Sequence, residues 1–294
     1  MSKKKKHLHY EHLKDAWVSR HQKLQKEIFT DHKEVFDDLI NGSRNLAVGS
    51  LAGLFMLTSP IVPKIPSAFS TASAQVSQTL DKKVFLVYDL SNILPSSVEP
   101  LTADQEQSVA QVLSRSYGVQ VAPELDGIRL NTTYGYIGQE QHLAIYPGDN
   151  MFTHFDTPED AQAYFNYGMA PGLGAWRYFA NSKADMTQED SDREKYYIAV
   201  QTFLAPGFND DPKKYTDFFK YRKMLVVNPQ NGKAIIVDIA DAGPSPYTGK
   251  QLGGSPEVMN YLQRVDGAQK GGVLYFFIND PNDKIPLGPI NYAN

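Results

Sequence analysis

The stretch YRKMLVVNPQNGKAIIVDIADAGPSPYTGKQLGGSPEVMNYL, residues 221–262, decides the fold of this chain. It contains two apolar runs rich in β-branched residues, Met224–Val227 and Ala234–Ile239. The six residues between them include a proline and an Asn-Gly pair, which favour a tight turn. The pattern therefore predicts a β-hairpin.

The second run of this hairpin leads into Asp241 and then a Gly-Pro pair that stops the strand. A carboxylate in this position is either a turn cap or a catalytic acid, and the local sequence leaves both alternatives open. Farther on, Ser255 and Pro256 precede an apolar face. A serine N-cap with proline at the first helical position predicts the start of a short helix.

Composition limits the classes of function. The chain has 294 residues, of which 41% are hydrophobic, so it can form two compact units. Residues 1–45 contain ten Lys and Arg against seven Asp and Glu, whereas the remainder contains nineteen against twenty-six. An acidic body argues against nucleic acid as a partner, because phosphate binding requires clustered positive charge. Cysteine is absent, which excludes disulfides and thiolate sites.

The N-terminal region has the pattern of a membrane anchor. Residues 1–44 predict a basic, cytoplasmic amphipathic helix, and residues 46–62 form an uncharged apolar run at the short limit for spanning a membrane. The positive-inside rule places the N-terminus in the cytoplasm and the later residues outside. Residues 45–63 are interpreted as a transmembrane anchor or the apolar part of a signal peptide cleaved near Ala74, with a buried helix as a further alternative. Residues 64–80 read as a linker.

Residues 81–168 predict a small α/β unit. Val84–Tyr88 reads as a strand and Thr102–Tyr117 as a helix, and a second helix is expected to begin at Thr157. Between the helices the sequence is rich in Gly and Tyr. Three polar residues there, with neighbouring tyrosines, are candidates for a sugar-binding groove, unless the tyrosines simply pack: Glu140, His142 and Asp149.

Residues 169–294 predict a small β-barrel. Strands are expected within Gly172–Ala180, Tyr196–Phe203 and Gly272–Ile278, in addition to the hairpin, while Ala205–Phe219 reads as a loop. In order, these elements resemble the double-psi β-barrel of the rare lipoprotein A-like group, whose relatives include expansins and membrane-bound murein lytic transglycosylases. The resemblance covers about residues 172–279, and the hairpin followed by Asp-x-Gly-Pro is its specific part.

The resemblance implies an exported protein, mainly β with α+β additions, whose six-stranded double-psi barrel acts on or binds glycan strands of the cell wall. It implies that Asp241 is the catalytic carboxylate. Three places depart from the family pattern. Ala242 stands in place of the usual arginine, Gln201 in place of a histidine, and Gly253-Gly254-Ser255 in place of the Asp-Leu-Ser that usually begins the helix. Glutamine can orient a substrate but cannot exchange protons at neutral pH.

The expected activity is cleavage or remodelling of peptidoglycan by a reaction of the lytic transglycosylase type. This chemistry needs one acid/base, because a hydroxyl of the sugar itself attacks, whereas hydrolysis needs two carboxylates. Strand alternation separates Asp238 from Asp241, which makes Asp238 a weak second acid. The expected substrate-binding residues are Trp176, Tyr178, Gln201 and Tyr247, and Asp185, Glu194 and Glu257 remain alternative acids.

A non-catalytic module that binds wall polysaccharide or acts as a scaffold is the alternative function. The expected partners are peptidoglycan or another wall glycan, and the membrane through residues 46–62. The tripeptide His154-Phe155-Asp156, which expansins also contain, is interpreted as a coincidence because it precedes the predicted barrel. No metal or cofactor is predicted, since the chain has neither a complete calcium loop nor a phosphate-binding loop.

Overall fold

The computed structural model describes residues 82–264 and 271–293, all of which belong to one unit, Ser67–Asn294. The predicted amphipathic helix, membrane segment, linker and cleavage site near Ala74 lie outside the described residues. Within the described ranges, every helix is too short or too polar to cross a membrane.

The described chain contains both helices and strands, and most of the strands are short. The helices are α1 (82–93), α2 (Ala103–Tyr117), α3 (Pro158–Tyr164), α4 (Gln188–Lys195), α5 (Pro212–Phe219) and α6 (Pro256–Leu262). The strands are β1 (Val121–Ala122), β2 (Glu124–Leu125), β3 (Ile128–Arg129), β4 (Tyr134–Gln139), β5 (Tyr197–Val200), β6 (Lys223–Asn228), β7 (Lys233–Ala242), β8 (Leu252–Gly254), β9 (Gly271–Ile278) and β10 (Gly288–Ile290).

Six strands close into a mixed β-barrel in the order β4, β8, β5, β7, β6, β9 and back to β4. The pairs β4/β8 and β5/β7 are parallel, and the other four pairs are antiparallel. β1 extends the sheet from β9, and β10 extends it from β7. The prediction of a six-stranded barrel is therefore confirmed.

The strand pairing of the barrel has an internal two-fold pattern. If β4, β5 and β6 are exchanged for β7, β8 and β9, every pair maps onto a pair of the same orientation. The parallel pair β4/β8 maps onto β7/β5, and the antiparallel pair β4/β9 maps onto β7/β6. The barrel thus consists of two topologically equivalent halves whose strands interleave.

The predicted hairpin is confirmed as β6 and β7, which pair from Lys223 opposite Asp238 to Asn228 opposite Lys233. Its turn is stabilised by Asn231, whose side chain accepts a hydrogen bond from the backbone N–H of Lys233. Gly232 in this turn has φ of 64°, a conformation that glycine adopts without steric cost.

The expected helix starts are confirmed as well. Ser255 caps α6 by accepting a hydrogen bond from Val258 N–H, and Pro256 is the first helical residue. Thr102 and Thr157 cap α2 and α3 in the same way. Because each cap satisfies N–H groups that have no partner within the helix, these starts can be read from local sequence.

Two apolar cores lie on opposite faces of the barrel wall, as β9 illustrates. Tyr275 and Phe277 point into the barrel interior, whereas Leu274 and Phe276 belong to the outer core that α1 and α2 cover. All four side chains are at most 1% exposed. A strand buried on both faces has to be apolar at consecutive positions, which explains the continuous apolar runs of β6, β7 and β9.

Several predicted elements differ in the structure. Val84–Tyr88 is helical, because Leu86 and Leu90 lie one turn apart and are buried, while Val84, Phe85 and Tyr88 are exposed. The predicted strand Gly172–Ala180 is irregular backbone. The predicted loop Ala205–Phe219 contains α5, whose first residue is a proline after an aspartate cap.

The domain boundary expected between residues 81–168 and residues 169–294 would divide a single sheet. β1 and β4 precede this boundary, yet both pair with β9, and β4 also pairs with β8. The aromatic, Gly-rich stretch thus contributes a wall of the barrel. Alternation of tyrosine and glycine in β4 hides this role, because glycine is usually depleted in strands.

Burial of β9 on both faces predicts that Phe276→Ala and Phe277→Ala each lower the free energy of unfolding by about 3–5 kcal/mol. The expected control is Tyr247→Ala, which removes a side chain that is 91% exposed and should change stability by less than about 0.5 kcal/mol. Urea denaturation measures all three. A phenylalanine variant that matches the control would contradict burial on that face.

Candidate functional site

Asp241 lies near the end of β7, where a single oxygen of its carboxylate is held by backbone. Oδ1 accepts hydrogen bonds from Ala175 N–H at 2.7 Å and from Ala242 N–H at 2.8 Å. Within the described residues, Oδ2 accepts no hydrogen bond. Burial raises the pKa of Asp241, and the two N–H donors partly offset this rise. The carboxyl is therefore fixed in position with one oxygen left for another partner.

A β-bulge before Asp241 changes the expected relation between the two aspartates of β7. Tyr197 of β5 pairs with Asp238, and Ala199 pairs with Asp241, so two steps on β5 match three on β7. An extra residue interrupts strand alternation. The side chains of Asp238 and Asp241 consequently lie on the same face of β7, not on opposite faces.

Trp176 and Gln201, two of the expected substrate-binding residues, are hydrogen-bonded to the protein backbone. The indole Nε1 of Trp176 donates to the backbone oxygen of Ile239 at 2.8 Å, and its ring packs against apolar core residues. Gln201 is 3% exposed, and its Nε2 donates to the backbone oxygens of Pro244 and Lys250. Both side chains stabilise the backbone around the end of β7.

Tyr178 and Tyr247 are the exposed members of the expected set, at 37% and 91%. Neither side chain has a hydrogen bond or ring contact with another described residue. The structure therefore places Trp176 and Gln201 with Asp241 around the end of β7, and leaves the two tyrosines at the surface.

A second group, which we call the buried polar cluster, consists of His142, Asp149, His154 and Glu194. His154 contacts two carboxylates, with Nδ1 at 2.8 Å from Asp149 Oδ2 and Nε2 at 3.1 Å from Glu194 Oε2. His142 Nδ1 is 3.3 Å from Glu194 Oε1. The two imidazole rings are 4.8 Å apart.

Backbone contacts hold each carboxylate of this cluster. Glu194 Oε1 accepts from Leu143 N–H, and Asp149 Oδ2 accepts from Ile145 N–H. Glu194 lies near the C-terminal end of α4, and Ser255 fixes that end by donating its hydroxyl to the backbone oxygen of Lys195. The hydrogen bond from Ser255 thus joins the end of the long β4–β5 connection to the start of α6.

Electrostatics within the cluster favour the charged forms. Burial alone would lower the pKa of His154, but its hydrogen bonds to Asp149 and Glu194 raise it to about 10. Burial also disfavours the two ionised carboxylates, yet hydrogen bonds to the histidines hold the pKa of each below its usual range. The cluster thus places one imidazole ring between two carboxylates.

A cavity of about 220 Å³ lies beside the cluster, lined by His154, Glu194 and Glu257 among other residues. Burial and the nearby charge of Glu194 raise the pKa of Glu257 to about 7. One nitrogen or oxygen from each of His142, His154 and Glu194 lies within 4.8 Å of the others, so this set can hold a metal ion.

The sequence pattern indicates only parts of this cluster. His142 and Asp149 stand out as polar residues of a Tyr-rich stretch, and Glu194 and Glu257 are alternative acids, but the His154 tripeptide is interpreted as coincidental. The four residues span more than 50 positions of the chain. No local spacing reveals that they converge, because α4 packs against earlier residues of the same β4–β5 connection.

A separate cavity of about 350 Å³ is lined by Asp238, Arg193, Tyr221 and Lys223, together with other residues. Asp238 is 1% exposed, and neither carboxylate oxygen has a hydrogen-bond partner within the described residues. Arg193 Nε is 3.7 Å from Oδ2. Burial raises the pKa of Asp238 well above its ordinary value, and Arg193 offsets only part of the rise.

This raised pKa predicts a pH-dependent effect of Asp238→Asn. Below the ordinary pKa of 3.8, Asp238 is protonated in both the folded and unfolded states. At higher pH only the unfolded state ionises, so the wild type should lose up to about 1.4 kcal/mol per pH unit relative to the variant. Urea denaturation from pH 4 to pH 8 measures the difference. A constant difference across this range would contradict a raised pKa.

Comparisons with protein-family models, with curated proteins and with solved structures give no match to this chain. Function therefore has to be inferred from the geometry of these residues.

Proposed function

We propose that the barrel is a double-psi barrel of the rare lipoprotein A-like type and that it acts on peptidoglycan glycan strands. The two-fold strand exchange with two parallel pairs supports the fold assignment. The hairpin, the Asp-x-Gly-Pro sequence that begins at Asp241 and the Ser-Pro start of α6 support it further. Export through residues 46–62, with anchoring or cleavage near Ala74, belongs to the same proposal.

Asp241 is the proposed acid/base, and its hydrogen bonding is the observation that carries the proposal. A general acid has to be held in place and still have an oxygen that can transfer a proton. Ala175 N–H and Ala242 N–H hold Oδ1, while Oδ2 accepts no hydrogen bond among the described residues. The raised pKa increases the protonated fraction near neutral pH.

A single acid of this kind is sufficient for lytic transglycosylation. Asp241 protonates the glycosidic oxygen as the bond to the anomeric carbon breaks, and the C6 hydroxyl of the same sugar then attacks that carbon. The carboxylate takes the proton of this hydroxyl, which restores its starting state. The reaction forms an anhydro-sugar and consumes no water, so a second carboxylate is unnecessary.

The second candidate function is a non-catalytic module that binds wall glycan. The contacts of Trp176 and Gln201 favour it, since both side chains stabilise backbone and neither is free to orient a sugar. In this alternative the bond from Ala242 N–H to Asp241 is a turn cap. The exposed ring of Tyr247 then supplies the sugar-stacking surface.

Asp241→Asn tests the catalytic proposal, because the amide oxygen can still accept both backbone hydrogen bonds while proton transfer is lost. Purified full-length protein is incubated with murein sacculi, and released anhydro-muropeptides are quantified. We expect the variant to release them at least about 100-fold more slowly than the wild type.

Asp185→Asn is the matched control, since Asp185 is an exposed aspartate whose Oδ2 accepts a hydrogen bond from the hydroxyl of Ser182, the cap of its short helical turn. It should retain the wild-type rate. Release that is unchanged in Asp241→Asn would contradict the role of Asp241. Sacculus binding without release by the wild type, weakened in Tyr247→Ala, would favour the binding module.

A further inference from the structure

The surroundings of the buried polar cluster contain nitrogen and oxygen atoms that its hydrogen bonds leave unpaired. His142 Nε2 and Glu257 Oε2 are both buried, and neither has a hydrogen-bond partner within the described residues. Buried polar atoms are normally paired, and an unpaired one commonly marks a bound water or ion. Glu257 lines the cavity beside the cluster, so its unpaired oxygen indicates that this cavity accepts a further ligand.

The spacing of the cluster matches the ligand set of a small transition-metal ion. Zinc binds imidazole and carboxylate ligands at about 2.0–2.2 Å, which places neighbouring ligand atoms of a tetrahedron about 3.3 Å apart. Glu194 Oε1 is 3.3 Å from His142 Nδ1 and Glu194 Oε2 is 3.1 Å from His154 Nε2, and one ligand atom from each of the three residues lies within 4.8 Å of the others. The side chains can therefore surround such an ion after a small shift.

Asp149 supplies the second layer of contacts that histidine ligands of metal ions usually have. Its Oδ2 is 2.8 Å from His154 Nδ1 and is itself fixed by Ile145 N–H. A carboxylate on the far nitrogen orients the ring and leaves Nε2 as the basic nitrogen. In this arrangement His154 presents Nε2 toward Glu194.

The balance of charge also favours a dication. Asp149 and Glu194 are carboxylates of the cluster, and Glu257 lines the same cavity. A divalent ion bound between these side chains would balance two carboxylates. The mixed nitrogen and oxygen ligands favour zinc over magnesium or calcium, which prefer oxygen alone.

We propose that His142, His154 and Glu194 bind one zinc ion, with a coordination position open to the 220 Å³ cavity that Glu257 lines. Three protein ligands and one open position are characteristic of zinc sites that bind a water molecule or a substrate. The site does not include Asp241 and is independent of the proposed glycan chemistry. It also differs from the expectation, drawn from sequence, that the chain binds no metal.

The test uses full-length protein that is stripped with a chelator and then dialysed. Equimolar Zn²⁺ should raise the melting temperature by several degrees, and the same concentration of Mg²⁺ should not, because a ligand that binds the folded state stabilises it. Co²⁺, as a spectroscopic probe, should give the intense visible absorption of a four-coordinate site. No thermal shift with Zn²⁺ and no such Co²⁺ band in the wild type would overturn the proposal.

Glu194→Gln removes the carboxylate ligand while keeping its shape, and it should bind one zinc fewer per chain than the wild type by elemental analysis. The N-terminal region contains His7, His9 and His12, so a variant with alanine at these three positions serves as one control and should keep the thermal shift. Asp156→Asn changes another acid of the same cavity and should keep it too. Equal zinc content and thermal shift in Glu194→Gln and the wild type would also overturn the site.

Discussion

Closure of the barrel between β6 and β9 is the contact on which the rest of the structure depends. Four residue pairs, from Met224 opposite Phe277 to Val227 opposite Leu274, join these strands. They turn an open sheet into a barrel with an interior core, and they bring together the outer apolar face that α1 and α2 cover. Because both cores share this wall, the side chains on its two faces are almost completely buried.

The barrel places its two main groups of polar residues in different settings. Asp241 follows a bulge near the end of β7 and is partly exposed, with its position set by backbone N–H groups. The buried polar cluster belongs to the long connection between β4 and β5, and its carboxylates are tied to histidines. The first arrangement suits proton transfer to a ligand at the surface, and the second suits the holding of a cation.

The elements that sequence predicted correctly are those specified by neighbouring residues. The hairpin was readable because its turn chemistry and apolar runs are contiguous, and α6 was readable from Ser255 and Pro256. Val84–Tyr88 was misassigned because a five-residue apolar run fits either a strand or one face of a helix. The sequence does not reveal β4 as a barrel strand, because its glycines lie against side chains that are far away in the sequence. A Cβ added at Gly138, for instance, would meet the side chain of Lys250.

The two-fold strand exchange has a consequence for synthesis of the chain. Each of β4, β5 and β6 has barrel neighbours only from the later half, since β4 lies between β8 and β9, β5 between β8 and β7, and β6 between β7 and β9. The first three strands therefore have no barrel neighbour until the ribosome has begun to translate the second half. Barrel pairing is dominated by contacts between distant residues, which makes folding slow. The barrel can close only after Ile278, the last residue of β9, has left the ribosome.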